Sequence, residues 1–391
     1  MIRKGLYLSN IDPQQSIGYI PKILGQVQGF RQLGYDMDLI CFNQNSQVVL
    51  TSFHQQTDQL QESNVLAQGS SNLLVRRLRL LRAAIKHISD TRPKFLYLRY
   101  PRSEPLYVYF LAKIRNQFPK LIILSEFPTY PYDKEYEGKL KLKDRLVFFL
   151  DKVTRQYLKH FINRVVAINY DQHIFGIETI SIDNGINISD YKHTKNSLAS
   201  PDPINIIGVA NVSPWHGYDR LIRGLGKYYR QSSDPHRKII FHIVGAQAPY
   251  LNELVMLASQ EESADYVIFH EPTQGKELDS LFIGCQLAIG VLGGHRKGLE
   301  LMSPLKNREY CARGIPFIFS HSDPDFPAGF QYSLHVNSSE NPIDVSQLID
   351  FIEKIKEEND VAKNMRNYAS RTLSWATKLD PVKSYIDDFV Y

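Results

Sequence analysis

Short apolar runs of strand length recur along this 391-residue chain, each separated from the next by a helix-length segment. In the first half they are Gly5–Ser9, Asp38–Phe42, Phe95–Arg99, Leu121–Glu126 and Val165–Asn169. In the second they are Ile204–Ala210, Ile239–Val244, Val267–Phe269, Leu287–Val291 and Pro316–Ser320. Near-continuous apolar strands alternating with helices are what a parallel sheet covered by helices requires. The two sets of five are set apart by residues 183–203, where Asn184-Gly185 signals a turn and Pro201 and Pro203 a hinge. A chain of this length also exceeds one compact core. The pattern predicts two α/β domains, residues 1–185 and 186–371, with functional loops after the carboxyl ends of the strands.

The chain offers no stretch near the ~18 apolar residues of a membrane span, and Met-Ile-Arg-Lys at its start precedes no signal-type apolar core. Cys41, Cys285 and Cys311 form neither a metal spacing nor a disulfide framework. A cytoplasmic protein is expected. The distribution of charge says more than its net value of +5. Residues 1–195 carry 27 Lys+Arg against 17 Asp+Glu, whereas residues 196–391 carry 19 against 24. A basic first half points to an anionic partner. No zinc spacing, ribonucleoprotein-type aromatic motif or helix-turn-helix argues for nucleic acid. A membrane surface or a phosphate-linked acceptor fits better.

Two helices concentrate this charge. In Asn72–Ser89, Leu74, Leu78, Leu81, Ile85 and Ile88 recur at helical spacing beside Arg76, Arg79, Arg82 and Lys86. Residues 139–161 repeat the theme, with Lys139, Lys141, Lys143, Arg145, Lys152, Arg155 and Lys159 flanking Leu146, Phe149, Leu150, Val153 and Tyr157. Basic amphipathic helices suit an anionic membrane surface; the alternative is a core-facing helix with a solvated basic back.

Residues 298–320 carry the most specific chemistry. Ser303 is a candidate N-cap and Pro304 suits the first helical position. Gly314 supplies a stop, and Pro316 blocks continuation before the apolar strand. A helix N-terminus offers unpaired amides and a positive dipole end to an anion. Glu309, about one and a half turns in, is placed to accept hydrogen bonds from a sugar diol. Just upstream, Gly293-Gly-His-Arg-Lys-Gly298 makes a basic glycine loop whose Arg296 and Lys297 suit phosphate. The combination predicts a site for a nucleotide diphosphate.

This stretch resembles the donor-binding helix of glycosyltransferase family 4, with Leu305-Lys306 and Glu309 followed by Ala312, Gly314 and Pro316. The resemblance implies the GT-B fold: two Rossmann-like parallel-sheet domains facing across a cleft. The first would bind the acceptor and the second the donor, with a final helix over 372–391 crossing back to the first. It also implies a retaining, metal-independent transferase with no cofactor beyond a nucleotide diphosphate sugar. The loop Ala210–Arg220 resembles the donor-pyrophosphate segment, with Gly217 kept and His216, Arg220 or Lys306 as the candidate cation. Gly245 resembles the strand-end glycine near the nucleotide, and His270 lies where the family reads the base. The family's first donor-sugar acid falls on Leu301. Either Glu300, displaced by one, serves in its place or backbone groups do.

In the first domain Gly18 resembles the glycine loop that faces the donor phosphates, with Lys22 a turn further on. Glu126, at a strand end, is a candidate at the reaction centre, and Arg99, Tyr130 and Tyr132 are candidates for holding sugar. The function expected is transfer of a hexose to a carbohydrate, lipid-linked acceptor at the inner face of the plasma membrane. The rivals are a non-catalytic subunit of the same fold that binds glycan or a partner transferase, and an epimerase of that fold.

Overall fold

The computed structural model describes residues 3–11, 20–53, 63–128, 130, 132, 142–168, 172–194, 202–231 and 237–389. The chain divides into two compact units, Met1–Gly185 with Trp375–Tyr391, and Ile186–Ser374.

The first unit runs β1 (Arg3–Leu8), α1 (Ile20–Gln32), β2 (Tyr35–Phe42), β3 (Val48–Phe53), β4 (Asn64–Ala67), α2 (Leu73–Thr91), β5 (Phe95–Arg99), α3 (Pro105–Gln117), β6 (Ile122–Phe127), α4 (Leu142–Thr154), β7 (Arg164–Ile168), β8 (His173–Ile174) and β9 (Ile177–Ile182). Its sheet has the order β4-β3-β2-β1-β5-β6-β7-β9-β8. The centre is parallel, and β3, β4 and β8 pair antiparallel at the edges. Strands β5 and β6 are buried at every position, which is why they read as unbroken apolar runs. Four strands lie outside the expected set: β3, β4, β8 and β9. The β2–β3 turn is closed by the Asn43 side chain, which accepts from the amides of Asn45 and Gln47.

One face of this sheet packs against α2, α3 and the turn Arg155–His160 after α4. The other packs against α1 and a C-terminal helix, Trp375–Asp388. That helix seats its first residue against glycines. A Cβ on Gly29 would lie 2.7 Å from the Trp375 Cβ and 2.9 Å from its carbonyl carbon.

The second unit runs β10 (Ile204–Val209), α5 (Tyr218–Gln231), β11 (Ile239–Val244), α6 (Tyr250–Gln260), β12 (Val267–His270), α7 (Gly275–Phe282), β13 (Cys285–Ile289), α8 (Leu305–Arg313), β14 (Phe317–Phe319), β15 (Ser333–His335), α9 (Val345–Lys356) and α10 (Val361–Tyr368). The C-terminal helix is then α11. The sheet order is β12-β11-β10-β13-β14-β15, and each pairing is parallel. The chain winds outward from β10 to one side and then from β13 to the other. The winding direction thus switches between β10 and β13, the usual ligand position in such sheets. In the first unit β1 and β5 stand in the same relation.

The seat of α11 gives a test. Gly29→Val is expected to destabilise the first unit by about 3 kcal/mol through overpacking against the Trp375 backbone, measured by urea denaturation.

Candidate functional site

In the second unit the loops after β10 and β13 are bonded to each other. The amides of Leu292 and Gly293 donate to the carbonyls of His216 (3.0 Å) and Trp215 (3.2 Å). Gly217 is left-handed at φ 69°, and a Cβ there would lie 2.7 Å from the Gly293 nitrogen. Its glycine is required by this close approach. Gly245 donates to the His270 carbonyl at 3.1 Å and leaves no room for a Cβ beneath the Ala210 carbonyl.

Helix α8 lies across the same strand ends. The buried Tyr310 hydroxyl donates to the Ile289 carbonyl at 3.0 Å and accepts from the Val209 amide at 3.4 Å, so it bridges β13 and β10. Gly314 ends the helix in the left-handed conformation expected of it. Its beginning differs from expectation. Pro304 occupies the cap position and no side chain caps the helix. Ser303 is buried and accepts instead from Arg308 at 2.8 Å. Arg308 is fully buried and also pairs with Asp323 (2.6 Å) and Asp325 (2.5 Å), pinning the loop after β14 to α8. The first-turn amides, Leu305 included, are thus left without a side-chain cap.

Lys306 projects from this first turn, with its ammonium 3.3 Å from the Tyr218 hydroxyl and 5.5 Å from that ring. Burial pushes it down to about 7, against the field of Glu309 one turn along. His216 is buried. Its Nδ1 lies 3.0 Å from the Ser213 amide nitrogen and 3.2 Å from the Ser213 carbonyl. Burial, and next the charge of Lys306, push it down to about 2. Its imidazole is therefore held neutral. Glu309 pairs with Arg313 at 2.8 Å, and Arg313 reaches Asp279 at 2.7 Å. Burial raises the Glu309 carboxyl and Arg313 opposes it.

The other expected cations are engaged elsewhere. Arg220 is buried and donates to the carbonyls of Leu292, Asn337 and Asn341. That makes it a staple for the 337–341 loop. Arg296 holds Asp219 at 2.8 Å and Glu340 at 2.5 Å. Lys297 is exposed, with its ammonium 3.4 Å from the centre of the Trp215 ring. His270 stacks on His242, its Nε2 3.0 Å from His242 Nδ1, while His242 Nε2 lies 3.1 Å from Asn205 Oδ1.

The bridge beside Glu300 keeps the sequence register. Leu301 forms a regular parallel bridge to Ser322, flanked by bonds from Ser322 to the Glu300 carbonyl and from Met302 to Ser322. No residue is absorbed there. Of the remaining residues, sequence reasoning missed Tyr218 and Tyr310. The signal for both was local: an aromatic directly after Gly217, and one directly after Glu309.

In the first unit Gly18 lies outside the described residues. Glu126 has no exposed surface; Lys22 lies 2.9 Å from one oxygen, and Arg99 (3.2 Å) and Tyr7 (3.3 Å) reach the other. This corrects its expected place against substrate. Burial would raise its carboxyl, but Lys22 and Arg99 outweigh that and hold it at about 2. Arg99 is accordingly part of a buried network. Tyr132 is also buried, donating to Asp151 at 2.8 Å, and Tyr130 packs edge-on to Phe175 at 5.8 Å. Tyr132 belongs to the core on the α2–α3 face, and Tyr130, partly buried, packs against it.

Because the Glu126 carboxyl is depressed by folding, its ion pairs stabilise the protein above the ordinary carboxylate range and are lost as pH falls toward 2. Stability followed by denaturant titration is expected to fall between about pH 4.5 and about 2, and Glu126→Gln to be less stable at pH 7 with a shallower acid-side slope.

No protein-family model and no curated protein matches the sequence. Solved structures do. Sucrose-phosphate synthase from Thermosynechococcus elongatus superposes with a TM-score of 0.62 at 14% identity, covering 98% of each chain. A glycosyltransferase from Rickettsia africae gives 0.61 at 14%, covering 99% of this chain and 98% of that one. A trehalose-6-phosphate synthase gives 0.59 at 11%, covering 99% of both. The two sheets, their strand orders and this likeness over the whole length establish the GT-B fold.

Proposed function

We propose that the protein is a glycosyltransferase that moves a hexose from a nucleotide diphosphate sugar to a carbohydrate, lipid-linked acceptor with retention and without a metal. In this reading the second unit holds the donor and the first the acceptor. The observation that carries it is the cluster at the start of α8: uncapped first-turn amides, the Lys306 ammonium with the neutral His216 ring near it, and Glu309 one turn along. Amides and one lysine receive the diphosphate, and Glu309 accepts from the ribose hydroxyls. The acceptor oxygen replaces the diphosphate at the anomeric carbon, and its proton leaves with the released diphosphate. Glu126 acts in this scheme as a positioning group that fixes Lys22 and Arg99.

One observation favours a second reading, a non-catalytic subunit of this fold. Leu301 stands where the resembling family has an acid. A panel of nucleotide sugars separates the two, since the transferase releases nucleotide from one of them and the subunit binds none.

Of the cations expected on α2, Arg76 is buried over the Phe42 ring at 4.8 Å and Arg79 donates to the carbonyls of Gln68 and Gly69. Only Arg82 and Lys86 remain exposed, and Lys86 pairs with Asp90. A membrane role for that helix is therefore weakened.

Lys306→Gln is expected to weaken nucleoside diphosphate binding roughly 10–100-fold, the worth of a charge-assisted hydrogen bond. In the native protein, binding must supply a proton to Lys306 above pH 7, so affinity falls as pH rises past that point. Calorimetry of the variant should show this alkaline slope removed. Glu309→Ala is expected to weaken binding of the nucleotide about tenfold while leaving inorganic pyrophosphate affinity unchanged.

A further inference from the structure

Helix α4 is the least covered helix of the first unit. Leu146 (58% exposed), Phe149 (61%), Val153 (42%) and Tyr157 (48%), the last in the turn that continues it, follow one another at spacings of three and four residues. That spacing lines up one stripe. The buried side is a different one, made by Asp151, Thr154 and Leu158. Asp151 is taken up by Tyr100, Tyr132 and the Ser103 amide, so its charge does not face solvent. Arg145, Lys152 and Lys159 recur every seven residues beside the stripe and are exposed, against one exposed acid, Asp144. No described helix is long and apolar enough to cross a membrane.

We infer that this stripe docks the protein on an anionic lipid bilayer, with Leu146, Phe149 and Val153 entering the headgroup–acyl boundary and Arg145, Lys152 and Lys159 meeting lipid phosphates. The inference deepens the lipid-linked acceptor reading and rests on it for its purpose, though not for its physics. Charge decides the occupant. A second copy of the helix would set the same three cations against each other, whereas an anionic leaflet complements them. The apolar stripe supplies the insertion that cations alone do not. A second exposed apolar group of the first unit, Val65, Leu66, Leu73 and Leu74, lacks such a rim, because its nearest arginines, Arg76, Arg77 and Arg79, are buried or engaged.

Flotation of the full chain with phosphatidylglycerol–phosphatidylcholine vesicles and with pure phosphatidylcholine vesicles tests this. The protein should float with the former and bind the latter at least tenfold more weakly. Each cation near an anionic leaflet contributes about fivefold, so R145Q/K152Q/K159Q should lose roughly 100-fold. L146S/F149S, both at exposed positions, should abolish flotation with an unchanged melting profile, and R82Q/K86Q on α2 should stay within twofold of wild type. Flotation of L146S/F149S at the wild-type level overturns the proposal, as does a solution dimer that this variant dissolves. Nucleoside diphosphate affinity measured on the same samples keeps the two readings apart. L146S/F149S should bind nucleotide as wild type does, and wild-type protein that floats without binding any nucleotide counts against the transferase reading alone.

Discussion

The Tyr310 hydroxyl, held between the Val209 amide and the Ile289 carbonyl, seats α8 across two adjacent parallel strands of the second unit. Everything proposed for the donor follows from where that helix lies. Its first turn comes to Tyr218 and His216 because β10 and β13 are neighbours in space and far apart in sequence. The buried Arg308 carboxylate cluster then fixes the approach to the helix. An isolated arginine at zero exposure would be prohibitive, and Asp323 and Asp325 make it tolerable. The Ser303 hydroxyl is drawn into that cluster, which leaves the helix tip without a side-chain cap.

The electrostatics of the two units run opposite ways. In the second, arginines are consumed by structure: Arg220 by three carbonyls, Arg296 by two carboxylates and Arg313 by Glu309 and Asp279. What remains beside the helix tip is a lysine, whose ammonium is a weaker holder of its proton when buried. A site built on such a lysine has a charge that depends on occupancy. In the first unit the buried carboxylate of Glu126 draws two cations to the ends of β5 and α1 and keeps them there. Placing positive charge by means of an internal acid is cheaper than burying it alone.

Strand positions were readable wherever burial on both faces left an unbroken apolar run, as in β5 and β6. They were missed where a strand is short and at an edge, as in β4 and β8. Strand β9 was missed for a different reason: in Ile177–Ile182 the isoleucines are broken up by Glu178, Thr179 and Ser181, so the run is lacking. The stop at Gly314 was legible because it is a local backbone requirement. The cap was not, because the Ser303 hydroxyl is claimed by Arg308 within a network that includes Asp323 and Asp325. The partners of Arg220 lie more than a hundred residues away, at Asn337 and Asn341, and no spacing rule reaches them. Tyr130 and Tyr132 show the same limit, since aromatic loop residues suit sugar and core equally until Asp151 and Phe175 are placed.

The most direct measurement is a crystal structure with a nucleoside diphosphate bound. The phosphates should lie against the Leu305 and Lys306 amides, within reach of the Lys306 ammonium and His216 Nε2, with the ribose hydroxyls on Glu309. Phosphates settling on the Arg296–Lys297 loop without α8, or anywhere in the first unit alone, would refute the assignment of the donor site.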